Sequence, residues 1–184
     1  MPPLLPLLHN ARRLFICRHA KAGRQDSGLD DFDRPLNERG ERDALAMGRR
    51  LAQQGVRPDL IMSSPAARAL ATAEHYARQA GMPPDQIQRN PEQYAASVPA
   101  LMALIRAVDP GIGALMLVGH NPESTDLANV LGGLSIDGIP TCGIVALAFS
   151  GRTWADLQAG GGSLLFFDYP KQQVACKSLR AFQV

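Results

Sequence analysis

The strongest constraint on this chain is the run Leu14-Phe15-Ile16-Cys17, four consecutive apolar residues that give way at once to Arg18-His19-Ala20-Lys21. A run this short and uniformly apolar reads as a buried strand. Ligands collect at the carboxyl ends of strands in open α/β sheets, so a charged pair there faces the crevice where chemistry is done. Arginine suits a phosphate or carboxylate, because its planar fork donates several N–H bonds and stays charged. Histidine beside it can be nucleophile, acid or base near neutral pH. Alone, the pair favours the plainer reading of a salt-bridged surface arginine and a histidine capping a strand.

Two further segments repeat the pattern. Asp59-Leu60-Ile61-Met62-Ser63-Ser64-Pro65 is a second short strand, running into a helix that carries Arg68 and, one turn on, Thr72. Residues four apart share a helix face, and Arg68 falls in the first turn, where backbone N–H groups favour an anion. Leu115-Met116-Leu117-Val118-Gly119-His120-Asn121-Pro122 is a third strand, again ending at a histidine.

Helical spacing fills the intervals. Asn37 is placed to cap a helix whose apolar side is Ala44, Met47, Leu51 and Ala52, closed by Gly55. Ser63-Ser64-Pro65 offers a cap and a proline at the first helical position for a helix over 66–79. Val98, Leu101, Ile105 and Val108 form another buried stripe, and 126–131 a last one with Leu127 and Val130 inward. Residues 86–90, 141–149 and 164–167 read as further strands, the last two joined through a long loop that contains Trp154. Strands alternating with helices predict an α/β chain built as a three-layer α/β/α sandwich with a mostly parallel central sheet.

Arg18-His19-Ala20, Ser63-Ser64-Pro65-Ala66-Ala67-Arg68 and Gly119-His120-Asn121-Pro122, in this order, resemble the histidine phosphatase superfamily. The compact chain and the run Asp31-Phe32-Asp33-Arg34-Pro35-Leu36-Asn37-Glu38-Arg39-Gly40 look like its short phosphohistidine phosphatases of the SixA type, and the likeness spans Leu14 to Tyr169. The resemblance implies the phosphoglycerate mutase-like version of the sandwich and a catalytic set of Arg18, His19, Arg68 and His120. Asn121 and Lys21 join Arg18, Arg68 and His120 as candidate substrate-binding residues. Lys21 stands where many relatives carry a small hydroxyl or acidic residue, so it either adds charge to the pocket or faces solvent.

A phosphoryl group in transfer spreads negative charge over its equatorial oxygens, and positioning plus electrostatics supply most of the acceleration. Arg18, Arg68 and His120 meet that need, and His19 takes the in-line position as a nucleophile that forms a phosphohistidine intermediate. Its attacking nitrogen must be bare, so the other must carry the hydrogen and give it to an acceptor such as a backbone carbonyl. This chemistry needs neither metal nor cofactor, and the sequence holds no metal-ligand spacing.

The leaving group decides the substrate. Relatives with broad phosphomonoester activity place a glutamate between the second arginine and the last histidine, and neither Asp85 nor Glu92 stands in a matching motif. Asp30, Asp31 and Glu123 remain candidate acids from flanking loops. Phosphohistidine can depart as neutral imidazole, so a missing acid handicaps it less. The leading expectation is a phosphatase for phosphohistidine on a phosphorylated protein, such as a histidine phosphotransfer domain. A small-molecule phosphomonoesterase acting on a phosphate ester is the alternative, and a phosphoryl-binding regulatory module without turnover is a third reading. His9 and His75 are expected to be surface or packing residues.

A chain of 184 residues suits a single domain over 1–184, with 1–12 as a loose N-terminal arm. Its net charge of +2 is too small to argue for nucleic acid. The apolar first eight residues are too short and too proline-broken to span a membrane. Cys17, Cys142 and Cys176, an odd set, suit a reducing, cytoplasmic setting, with Cys17 a small core residue rather than a nucleophile. Nothing in the sequence fixes the oligomeric state.

Overall fold

The computed structural model describes residues 11–23, 28–151 and 153–172, so the apolar arm up to residue 10, His9 and Cys176 lie outside the described residues. In chain order come β1 (Arg12–Arg18), α1 (Glu38–Gln53), β2 (Leu60–Ser63), α2 (Ala67–Ala80), β3 (Gln88–Arg89), α3 (Val98–Arg106), β4 (Ala114–Gly119), α4 (Glu123–Gly132), β5 (Ile144–Phe149) and β6 (Ser163–Asp168). The strands form one sheet in the order β3-β2-β4-β1-β5-β6. Pairings from β3 through β1 are parallel and the two involving β5 are antiparallel, so β5 alone runs against the others.

Strand periodicity sorts the core into two layers. Phe15 and Cys17 face one side of the sheet, with Ala44, Met47 and Leu51 of α1 and Ala69, Ala73 and Tyr76 of α2. Leu14 and Ile16 face the other, with Leu101 and Ile105 of α3, Leu127 and Leu131 of α4, and Trp154. Helices on both faces of a mostly parallel sheet make the predicted three-layer sandwich.

Local signals explain where the helices lie. Asn37 Oδ1 accepts from the Gly40 N–H at 2.9 Å and opens α1. Gly40 is there because a Cβ would sit 2.1 Å from the Lys21 carbonyl oxygen, so only glycine lets α1 approach the chain just after β1. Across the same layer, His75 Nε2 meets Glu41 Oε2 at 2.6 Å and links α2 to α1. The Ser97 hydroxyl accepts from Ala100 N–H at the start of α3.

The structure departs from the sequence expectation in four places. β1 begins at Arg12, since Arg12 pairs with Phe149 and Arg13 N–H donates to Gly113 O at 2.9 Å. Pro65 is not the first residue of α2: Ala66 is the N-cap, without a side-chain cap bond, and the Ser64 hydroxyl accepts from Ala66 N–H instead. Val130 points outward at 40% exposure, and Leu127, Ala128 and Leu131 form the buried stripe. β5 starts only at Ile144, because Cys142 has φ +64° and Cys142 N–H turns to His19 O. No helix among the described residues is long and apolar enough to cross a membrane.

Candidate active site

Strand register brings the two histidines together. β1 and β4 are adjacent and parallel, with Arg18 opposite Gly119, so His19 and His120 leave the sheet side by side. His19 N–H donates to Gly119 O at 2.9 Å, and the two rings lie 5.1 Å apart at 55°. β2 flanks β4 on its other side. Ser64 N–H donates to Val118 O, and the Ser64 hydroxyl lies 2.8 Å from His120 Nε2. From the first turn of α2, Arg68 Nε donates to His19 Nε2 at 3.3 Å.

That last bond and one other fix the form of His19. Its Nδ1 lies 2.7 Å from Ala20 O, which can only accept, so Nδ1 carries the hydrogen and Nε2 is the bare nitrogen. The acceptor is itself held, since Ala20 N–H donates to Thr72 Oγ1 at 2.9 Å and the Thr72 hydroxyl donates to Arg68 O at 2.7 Å. Thr72 thus couples the His19 turn to the helix that carries Arg68.

Burial lowers the His19 pKa to about 4; the Ala20 carbonyl pulls the other way, and Arg68, Arg18 and Arg34 push further down. Burial, with His19 and Arg68 beside it, takes His120 to about 3, against an upward pull from Asp31. Both rings are therefore neutral at pH 7, and His120 Nδ1 is buried with no protein partner.

Arg18 Nη1 donates to Ile139 O at 2.8 Å, while its Nε is buried without a partner. Asn121 Nδ2 donates to the same carbonyl at 3.0 Å, and its Oδ1 is likewise unpartnered. Arg18, His19, Arg68, His120 and Asn121 thus cluster at the ends of β1, β2 and β4. Lys21 does not join them: exposed, it lines a separate cavity of about 400 Å³ with Arg39, Thr141, Tyr169 and Lys171.

Two residues enter the cluster that the strand-end pattern does not mark. Asp31 Oδ2 accepts from Arg68 Nη2 at 2.7 Å and from the Tyr94 hydroxyl at 3.2 Å. Its main-chain carbonyl accepts from Arg68 Nη1, and Oδ1 accepts from Arg34. Burial raises the Asp31 pKa, but Arg68, Arg34 and Tyr94 outweigh it, and the carboxyl lies below its ordinary value. A proton donor needs the opposite shift. Tyr94 also stands edge-on to His120 at 5.4 Å and to Phe32 at 5.2 Å. Of the other candidate acids, Asp30 is exposed, and Glu123 adjoins His120 and the buried Gln93 in a small cavity.

Among the described residues no cluster of three or more His, Cys, Asp or Glu could hold a metal ion. Cys17 is buried, and burial together with nearby Cys142 pushes its thiol well above the usual range, as suits a core residue.

The histidine phosphatase superfamily (branch 1) family model matches residues 14–94. An uncharacterized protein of Mycobacterium tuberculosis is 33% identical over 165 residues, 84% of this chain and 99% of its own length. Among solved structures, a candidate phosphohistidine phosphatase SixA from Agrobacterium tumefaciens is 32% identical, with a TM-score of 0.72 over 86% of this chain and 98% of that one. A second candidate SixA, from Nakamurella multipartitia, is 28% identical, with a TM-score of 0.72 over 88% of this chain and 97% of that one.

Proposed function

We propose that this chain, which belongs to the histidine phosphatase superfamily and is SixA-like within it, hydrolyses phosphohistidine on a protein through a covalent intermediate on His19. Its fold is phosphoglycerate mutase-like, its reaction class is that of a phosphatase, and its substrate carries a phosphoryl group. The observation that supports the covalent intermediate is the fixed form of His19, with Nδ1–H on Ala20 O and a bare Nε2 facing Arg68.

In the first step Nε2 attacks phosphorus in line, a P–N bond to His19 forms, and the P–N bond to the substrate imidazole breaks. The departing ring keeps that electron pair and leaves neutral, its other nitrogen having taken a proton from water. Arg18 and Arg68 balance the charge on the phosphoryl oxygens. The arriving charge raises the pKa of His120 and lets its ring donate to an oxygen. Water then attacks phosphorus and gives a proton to solvent, the His19 P–N bond breaks with its electron pair returning to Nε2, and phosphate leaves. Asn121, beside Arg18 on Ile139 O, completes the proposed binding set.

In the free protein Asp31, the carboxylate paired with Arg68, lies below its ordinary value and is a poor proton donor, which favours a leaving group that departs without a carboxylic acid. The SixA structures it resembles are described as phosphohistidine phosphatases, the same N-phosphate class.

The test is a ³²P-phosphohistidine protein mixed with the enzyme and quenched in alkali. Label on His19 and a His19→Ala variant slowed by several orders of magnitude are expected. Label on another residue would overturn the nucleophile. Turnover of p-nitrophenyl phosphate or alkyl esters rivalling that of phosphohistidine would move the assignment to a general phosphomonoesterase. Phosphate binding without turnover of any substrate would mark a regulatory module.

A further inference from the structure

Every nitrogen of the Arg68 guanidinium is engaged by the protein itself: Nε with His19 Nε2, Nη1 with the Asp31 main-chain oxygen, and Nη2 with Asp31 Oδ2. Asp31 thus sets two oxygens on the two terminal nitrogens, the arrangement a phosphoryl group takes when it binds an arginine fork. We propose that Asp31 is an internal stand-in for the phosphoryl group, an anion that substrate displaces from Arg68 and that returns to expel phosphate. The inference rests on the reading of Arg68 as a phosphoryl ligand and adds a residue that sets affinity rather than one that makes or breaks bonds.

Three observations support exchange over a permanent ion pair. The Asp31 side chain is 41% exposed while that of Arg68 is 6% exposed, so the carboxylate can withdraw into water and the guanidinium cannot. Asp31 sits in a single 3₁₀ turn, Asp31–Asp33, that buries no residue and has no side-chain cap, so its displacement sacrifices little packing. Arg34 holds the other carboxylate oxygen and keeps the charge compensated when Arg68 is released.

The consequence is a weakened hold on inorganic phosphate, since each binding event must first break the Asp31 contact. A substrate that gains further contacts through its protein part overcomes that competition, whereas the free product does not. Asp31 in this role favours large phosphorylated ligands and speeds the release of phosphate.

Calorimetric titration with inorganic phosphate at neutral pH reads the competition without reference to any substrate. Asp31→Asn keeps the shape and removes the charge, and should tighten phosphate binding about three- to tenfold, the range of one net hydrogen-bond contribution. Tyr94→Phe removes the hydroxyl that steadies the carboxylate but keeps the ring against His120, and should tighten it about two- to fivefold. Steady-state kinetics of Asp31→Asn should show a lower KM and an unchanged or lower kcat. Unchanged or weaker phosphate binding in Asp31→Asn would overturn the proposal and leave Asp31 as a residue that orients Arg68. A fall in kcat on alkyl esters with phosphate affinity unaltered would also overturn it, in favour of a proton-donor role. Phosphate bound by neither protein would remove Arg68 as a phosphoryl ligand, and with it the catalytic reading itself.

Discussion

The protonation state of His19 is where the proposed chemistry is most exposed to measurement. Burial holds its pKa near 4, against 6.5 for an ordinary imidazole. At pH 5 an ordinary ring is about 3% neutral, whereas a ring of pKa 4 is about 90% neutral, roughly a thirtyfold difference in available nucleophile. The Nδ1–H form is also the minor tautomer of a free histidine side chain, so the Ala20 carbonyl leaves a second signature. Ring ¹⁵N–¹H correlation spectra over pH 3 to 8 read both. One resonance pair, absent in His19→Asn, should show hydrogen on Nδ1 and titrate near pH 4. His120, 5.1 Å away, should titrate lower, the two behaving as a coupled pair.

The same shift predicts a stability trend. Above about pH 6.5 the ring is neutral in both folded and unfolded chains, and linkage contributes nothing. From 6.5 down towards 4 the unfolded chain takes up a proton that the folded one refuses, so stability falls as pH falls. Below about 4 both forms are charged and the loss levels off, on the order of 3 kcal/mol for His19. The pH slope of urea-unfolding free energy should therefore be shallower in His19→Asn than in the parent between pH 4 and 6.5. A His19 ring that titrates between pH 6 and 7, or that carries its hydrogen on Nε2, would refute the reasoning, because the attacking nitrogen would then be protonated or turned away.

Two further outcomes follow from the supports of the site. Thr72→Val keeps the side-chain volume but strands the buried Ala20 N–H; it should cost about 1–3 kcal/mol in chemical denaturation and lower kcat more than it raises KM. Gly40→Ala drives a Cβ into the Lys21 carbonyl; a loss of about 1–3 kcal/mol and a fall in activity are expected, and a variant with parental stability would show that α1 need not approach so closely.

The elements themselves were legible because each apolar run is bounded by a sharp change in chemistry, as at Cys17-Arg18 and Gly119-His120. Helix phase was harder to read. In α4 the buried apolar residues are Leu127, Ala128 and Leu131, and a stripe anchored on Leu127 alone admits Val130 as readily as Leu131. Pro65 illustrates competition between local rules: the sequence suits a capped start with proline inside, yet the Ser64 hydroxyl lies beside His120 and the helix opens without a side-chain cap. Asp31 and Tyr94 carried no periodic signal, since each lies in or beside a short 3₁₀ turn and meets Arg68 or His120 only through the tertiary fold. Asp31 opens the run that resembles the SixA type, yet the only role the sequence suggests for it is that of an acid, and its downward pKa shift argues against that role.

Strand order is the link that sequence alone does not supply, and here it produces the site. The chain visits β1, then β2, then β4, yet in the sheet β4 lies between the other two. Inserting β4 there makes its last residue the neighbour of both earlier strand ends, so His120 meets His19 on one side and Ser64 on the other. Parallel strands sit about 4.8 Å apart, so the Arg18–Gly119 register starts the two side chains next to each other and lets the rings meet. The same register sends Leu115 and Leu117 to the α3–α4 layer and Met116 and Val118 to the α1–α2 layer. A slip of β4 by one residue would exchange those two sets and carry His120 to the wrong face. The pattern that packs the two halves of the core is thus also the pattern that aligns the two imidazoles, and a mutation that disturbs either should be felt in the other.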